Sequence, residues 1–202
     1  TKESINKILI SNNETQVSLN FDEVLKIKEI DIIDICLPPH LHFLACKKSL
    51  EAGKHVICEK PLVSSLKEVD ELQKISKKTD KMIFPVFQYR YGLGFSKLKA
   101  LIESGLAGKP LIASLETHWN RGKDYYSKAW RGTWYGEQGG AILSHSIHIH
   151  DLVSMILGPV SNVFARLTTR VNDIEVEDCA ALSIGMENGT LVTSSVTLGA
   201  AN

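Results

Sequence analysis

Up to about residue 90 the chain alternates short apolar runs with stretches of helical periodicity. Asp31-Ile-Ile-Asp-Ile-Cys-Leu37 is a compact apolar run ending at Pro38-Pro39, which predicts a buried strand. From His40 to Glu51 the pattern turns helical, with Gly53 placed to end the helix in a left-handed residue. Lys54-His-Val-Ile-Cys58 predicts a second strand, followed at once by Glu59-Lys60-Pro61. Ser65 and Glu68 have the spacing of a capping box, and Leu66, Val69, Leu72 and Ile75 recur at helical intervals. Met82 to Phe87, interrupted by Pro85, predicts a third strand. Such an order makes a parallel, doubly wound sheet with right-handed crossovers.

The second half changes character. Leu93 to Ser104 predicts a helix closed by Gly105, and Leu111 to Trp119 a strand. A polar and aromatic loop without periodicity runs from Asn120 to about Gln138. After Gly139-Gly140 a helix should continue to Leu157 and stop at Gly158-Pro159. Three β-rich runs follow, Val160–Arg170, Val176–Met186 and Thr190–Leu198, with Asn188-Gly189 as a hairpin signal between the last two. Consecutive hairpin strands predict a mainly antiparallel sheet, so the chain divides into residues 1–90 and 91–202. The chain begins inside a helical pattern, carries no Gly-x-Gly-x-x-Gly and stops at Gly199-Ala-Ala-Asn202, which reads as a fragment incomplete at both ends.

Composition narrows the function classes. With 23 Lys+Arg against 23 Asp+Glu in 202 residues, no basic excess is available to neutralise phosphates, which argues against nucleic acid as a partner. No apolar run approaches the roughly 20 residues of a bilayer span, so no membrane partner is expected. Cys36, Cys46, Cys58 and Cys179 lack Cys-x-x-Cys spacing and read as buried free thiols in a reducing compartment. The first residues lack a basic-then-apolar signal pattern, so the expected location is cytoplasmic.

Four places carry candidate chemistry. Glu59-Lys60-Pro61 leaves a strand at the end where open α/β sheets bind ligands, and an ammonium there can stabilise a developing alkoxide. A neighbouring pyridinium would lower the lysine's proton affinity. On the helix after Gly139-Gly140, Ile142, Ser146, Ile149, Val153 and Ile156 form a core stripe. Ser144, His145, His148, Asp151 and Leu152 cluster on another face, just past a diglycine that lets another molecule approach. Two imidazoles and a carboxylate suit acid–base work, or zinc ligation, although no further ligand is spaced to complete a metal site. A structural role for these histidines is the competing reading. His40-Leu-His42 opens a helix whose free N–H groups can face a ligand, or is simply a surface helix entry. The loop Trp119-Asn120-Arg121 … Tyr125-Tyr126 … Trp130-Arg131 suits a polyol or sugar site, with arginines able to pair with a phosphate or carboxylate, or else forms an interface belt.

In order, Asp31 to His42, Ala52-Gly-Lys-His-Val-Ile-Cys-Glu-Lys-Pro61, Tyr89-Arg90, Ile102-Glu-Ser-Gly-Leu-Ala-Gly108 and Gly139-Gly140 … His148 … Asp151 resemble the glucose–fructose oxidoreductase / inositol dehydrogenase (Gfo/Idh/MocA) family. The resemblance runs from about Phe21 to the end of the chain. It implies a partial Rossmann-type parallel sheet followed by an α+β domain with an open, mainly antiparallel sheet used for homo-oligomerisation. It also implies NAD or NADP as cofactor and hydride transfer to or from an alcohol carbon of a sugar, cyclitol or sugar derivative. By the same carry-over Lys60 and His148 are catalytic, with Ser144, His145 and Asp151 as auxiliaries. Leu37, Pro38, Pro39, His42, Glu59, Lys60, Gln88 and Arg131 border the cofactor. Lys60, Asn120, Tyr126, Trp130, Arg131, His145 and His148 face the substrate. Where many members of the family carry an aspartate four residues before the histidine, this chain has Ser144. That departure motivates a second class, a non-catalytic cofactor- or sugar-binding regulator; the histidine helix alone would suggest a third, a metal-dependent hydrolase or isomerase.

Overall fold

The computed structural model describes residues 16–201. The predicted helix at the very start of the chain lies outside the described residues. After a short helix α1 (Phe21–Leu25), capped by the Asn20 side chain, come β1 (Ile32–Ile35), α2 (His42–Glu51), β2 (His55–Cys58), α3 (Leu66–Thr79) and β3 (Ile83–Pro85). The three strands form a parallel sheet in the order β1-β2-β3, as the alternation predicts.

Register explains its core. Ile33 pairs with Val56, and Ile35 with Cys58, so these four side chains share one face. That face packs on Ala45, Cys46 and Leu50 of α2 and on Leu72 of α3. Burying a Leu or Val side chain fully is worth about 1.5–3 kcal/mol. Both crossover helices therefore lie on the same face among the described residues, and Ile32 and Phe84 of the opposite face are exposed. Ser65 caps α3 by accepting the Glu68 N–H at 3.3 Å, while the Glu68 carboxylate accepts from both the N–H and the hydroxyl of Ser64. The acid thus reaches back one residue further than a capping box requires. Cys36 is exposed, a correction to the expectation of buried thiols; Cys46 and Cys58 are buried in the core. A hydrogen bond with Cys46, and then burial, push the Cys58 thiol up.

A turn at Gln88–Tyr91 leads into α4 (Leu93–Glu103), β4 (Ile112–His118), α5 (Lys123–Tyr126), α6 (Ile147–Leu157), β5 (Val160–Thr168), β6 (Cys179–Met186) and β7 (Leu191–Thr197). The second sheet has the order β4-β7-β6-β5; β5, β6 and β7 are antiparallel neighbours, and β4 runs parallel to β7. Its inner face places Ala113, Leu115, Leu182, Ile184 and Val192 against Val153, Ile156 and Leu157 of α6. At the β6–β7 turn Gly189 takes φ +86°, while the Asn188 side chain accepts from Thr190 N–H and donates to Leu157 O. Asp178, fully buried, collects the N–H groups of Arg170, Val171 and Asn172 and so fixes the loop after β5.

The predicted continuous helix after the diglycine is not one helix. Residues Ile142–Ser146 form a π turn, and only Ile147–Leu157 is α-helical. Glu177 explains why the segment starts there: its carboxylate accepts from Gly140 N–H and Ile142 N–H, both at 3.0 Å. An anion on the free N–H groups of a helix start is favourable. A Cβ at position 140 would lie 1.9 Å from the Glu177 carbonyl oxygen, so only glycine allows this approach. The diglycine thus admits a side chain of its own molecule, where the sequence suggested a ligand. Gly140→Ala is expected to cost about 1–3 kcal/mol by overpacking, read as a lowered urea midpoint with an unchanged slope.

Candidate active site

The two sheets meet at a cleft of about 510 Å³, within the range of small-molecule sites. One wall is the carboxyl end of the parallel sheet: Cys36, Leu37, Pro38 and Pro39 after β1, and Glu59, Lys60 and Pro61 after β2. The peptide between Lys60 and Pro61 is cis. The other wall comes from Trp119, Arg121, Tyr125, Trp130, Arg131 and Glu137, with Ser144 and His145 of the π turn at its floor. His40 ties the walls together through its Nδ1, 3.2 Å from the Gly136 carbonyl oxygen, and its contact with the Tyr135 ring.

Lys60 spans the cleft and donates to the carbonyl oxygen of Ser144. An ammonium has three N–H donors, so two remain for a ligand oxygen. Burial lowers the Lys60 pKa below the ordinary lysine value; Glu59 opposes this, and Arg131 and Arg121 reinforce it. Ser144 uses its own hydroxyl to donate to Gly140 O at 2.7 Å, so it acts on Lys60 through its backbone.

His145 and His148 are both 4% exposed, and in neither ring does the buried Nδ1 have a hydrogen-bond partner. His145 faces the cleft, against the Trp119 and Tyr125 rings. Burial, then Lys60, Arg121, Arg131 and His148, pull its pKa down to about 3. His148 stacks on Tyr89 with ring centroids 4.5 Å apart and meets the edge of Phe87. Burial, then the Lys60 charge, lower its pKa as well. Both imidazoles are therefore neutral near pH 7.

The π turn divides the predicted polar face. Ser144 and His145 reach the cleft, His148 sits behind it against Tyr89, and Leu152 lines an apolar groove with Ile149 and Val153. Asp151 is held by both a 2.7 Å bond from Arg90 Nε and a second from its terminal nitrogen, and influences His148 only through its field. His145, His148 and Asp151 do not form a ligand set for a metal.

Of the residues expected at the cofactor, Leu37, Pro38, Pro39, Glu59, Lys60 and Arg131 line the cleft. His42 does not; both its ring nitrogens lie 2.7 Å from backbone oxygens, those of Pro61 and Leu37, so it braces the two strand ends from behind. Gln88 is exposed on its turn, outside the lining. Of those expected at the substrate, Lys60, Trp130, Arg131 and His145 line the cleft, while Asn120, Tyr126 and His148 do not. Asn120 bridges to Gly199 in extended backbone, where alternate side chains point to opposite sides, so Trp119 and Arg121 enter the cleft instead. On α5 the adjacent Tyr125 and Tyr126 diverge; Tyr126 packs on the cluster of Ala141, Ala180, Val196 and Leu198. Glu137, 2% exposed and 3.7 Å from Arg131, carries no signal in the sequence, because it lies in a loop with no periodicity to single it out.

Family models match both parts of the chain: "Oxidoreductase family, NAD-binding Rossmann fold" over residues 2–87, and "GFO/IDH/MocA C-terminal domain" over residues 95–202. An uncharacterised oxidoreductase of Synechocystis sp. is 26% identical over 185 residues, covering 84% of this chain and 49% of the relative. The myo-inositol 2-dehydrogenase of Thermotoga maritima is 32% identical over 149 residues, covering 71% and 41%. Among solved structures, the WlbA dehydrogenase of Chromobacterium violaceum, in complex with NADH and UDP-GlcNAcA, superimposes with a TM-score of 0.92 at 28% identity, over 99% of this chain and 58% of that one. A levoglucosan dehydrogenase in complex with NADH and levoglucosan gives a TM-score of 0.81 at 25% identity, over 92% and 52%. The chain spans about half the length of the curated relatives it matches.

Proposed function

The chain belongs to the Gfo/Idh/MocA oxidoreductase family, and from that premise we propose that it is part of an NAD(P)-dependent dehydrogenase acting on an alcohol carbon of a sugar, cyclitol or sugar derivative. One observation supports this above the rest: a half-buried lysine at the carboxyl end of β2, fastened across the cleft beside two neutral histidines. The residues present fit a nicotinamide. The Leu37-Pro38-Pro39 turn offers a rigid, largely apolar edge at the strand ends, where open parallel sheets bind such groups. When bound, that cofactor supplies the hydride acceptor or donor.

The chain's own residues do the rest. Lys60 directs its free N–H donors at the reacting oxygen and stabilises the negative charge that grows there. His148, kept neutral by burial and by Lys60, is the acid–base group of this reading although it stacks on Tyr89 just outside the cleft lining: it takes the hydroxyl proton in oxidation and returns it in reduction. His145 and the Trp130-Arg131 pair hold the remaining sugar hydroxyls, and Glu59 with the proline turn borders the cofactor. Because protonation of His148 is suppressed, the acid limb of kcat/KM for oxidation is expected below pH 6.5, the ordinary histidine value. A limb at or above 6.5 would contradict the assignment.

We further place the protein in the cytoplasm as a homo-oligomer. Free cysteines fit a reducing compartment, and no helix among the described residues is long and apolar enough to cross a membrane. The outer face of the second sheet joins exposed Ile112, Leu191 and Phe164 to a flat field of Ser114, Thr193, Ser183 and Ser195, a surface suited to a second copy. The function is tested by incubating the full-length protein with NAD+ or NADP+ and a panel of sugars and cyclitols. Substrate-dependent growth of reduced-nicotinamide absorbance is expected; its absence with every compound would remove the proposal.

A further inference from the structure

The cleft holds three cations and two carboxylates. Lys60, Arg121 and Arg131 face it, with Glu59 and Glu137. Glu137 lies against Arg131, and the Glu59 carboxylate accepts from the Lys60 backbone N–H. Arg121 has no carboxylate within 4 Å among the described residues. Its guanidinium lies over the Trp119 ring at 4.9 Å and the Tyr125 ring at 5.0 Å, and one terminal nitrogen donates to the neighbouring Asn120 carbonyl oxygen at 3.1 Å. Its Nε is buried and has no hydrogen-bond partner.

Such a site lacks an acceptor. A buried donor without a partner is uncommon in a folded protein, and a guanidinium clamped between two aromatic rings is already oriented to receive one. Arg131 is held in the same way, over Tyr125 at 3.9 Å and Trp130 at 4.3 Å, so two guanidinium groups lie near one tyrosine on the wall opposite Lys60. An oxyanion that met Arg121 would satisfy the orphan Nε and offset a positive charge that no carboxylate within 4 Å pairs among the described residues. A neutral polyol could do only the first.

We propose that the substrate is an anionic sugar derivative whose carboxylate or phosphoryl group is bound by Arg121, making Arg121 the residue that selects acidic over neutral sugars. This rests on the dehydrogenase reading for the identity of the ligand as a sugar, but the charge preference has its own observable. Arg131, already paired with Glu137, contributes less to that choice.

The test is equilibrium binding to the full-length protein, by calorimetry, of matched probes: D-glucuronate and D-gluconate for the carboxylate, D-glucose 6-phosphate for the phosphoryl group, D-glucose and myo-inositol as neutral partners. At least one acid is expected to bind tenfold or more tightly than its neutral counterpart, and the acid that does so identifies the anionic group. In Arg121→Met the ratio of acid to neutral affinity is expected to fall about tenfold or more, with Arg121→Lys recovering part of it. A thermal melt of each variant controls for folding. Equal affinity for acid and neutral probes, binding of none of the acids, or a ratio unmoved by Arg121→Met would each overturn the proposal. Affinity for NADH, measured by fluorescence, separates the sources of the anion. If Arg121→Met weakens NADH tenfold and leaves the acid preference intact, the residue serves the cofactor and the proposal is wrong. Neutral sugars oxidised without acid preference would sink this inference and spare the dehydrogenase reading. Arg121-dependent acid binding with no oxidation of any sugar would do the reverse.

Discussion

Replacing Lys60 by methionine is expected to lower turnover by about 10²–10⁴ in the full-length protein, the range for groups that move or stabilise a proton in the transition state. Methionine keeps the unbranched stem that passes Pro61 and removes only the ammonium. The loss should appear mainly in kcat, because the charge that Lys60 stabilises exists only as the alkoxide forms. A second signature lies in the pH profile. Burial lowers the Lys60 pKa, so in the wild-type protein the basic limb of the profile should fall below pH 10.5, and in Lys60→Met that limb should vanish. His148→Ala is expected to cost a similar factor and to erase the acid limb instead. Turnover within threefold of wild type in both variants would remove this mechanism, whatever the family.

Much of this arrangement is legible from local pattern. A buried strand followed immediately by Glu59-Lys60-Pro61 puts the lysine at the ligand-binding end of the sheet, because strand ends in open α/β sheets all open to the same side. Gly53, Gly105 and Gly158 stop their helices in positive φ, a requirement that the residue type itself announces. Ser65 likewise names the start of α3.

Less legible is anything set by a distant partner. Gly140 reads as an opening for a ligand, yet the group that approaches is Glu177, 37 residues away. Asp151 reads as a third member of a catalytic face, until Arg90, 61 residues earlier in the chain, claims its carboxylate. The π turn at Ile142–Ser146 adds a residue to one helical turn, so a wheel drawn at constant pitch from Ile142 to Ile156 puts Ser144 and His145 on the wrong face relative to His148. In the loop no period exists to tell Tyr125 from Tyr126 or Arg121 from Asn120; backbone direction at each residue decides, and composition carries no record of it.

The same burial that keeps His145 neutral should make the protein sensitive to acid. The sign follows from proton binding. An unfolded chain takes up a proton on this histidine near pH 6.5, whereas the folded chain resists until about pH 3, so between those values the unfolded state binds more protons. Stability contributed by the neutral ring is therefore complete above pH 6.5 and is lost as pH falls through the window. Each pH unit is worth about 1.4 kcal/mol, so acidification from pH 7 to pH 4 should remove about 3 kcal/mol through this group alone. Against a total of about 5–15 kcal/mol for a domain, that is a large share. Burial lowers the His148 and His150 pKa values too, which adds in the same direction. Asp178 acts lower down: burial alone would raise its pKa, but the N–H groups of Arg170, Asn172 and Val171 outweigh that, so its contribution fades only as pH falls below about 3.8. Urea unfolding followed from pH 7 to pH 4 should show the midpoint falling steadily, and His145→Gln, which has no proton to gain, should remove the largest part of that slope. Glutamine also keeps a hydrogen-bonding side chain facing Lys60 and Arg121, so the comparison isolates the charge. An acid slope identical in wild type and variant would mean that neither burial nor the cations around the ring hold His145 neutral in the folded protein.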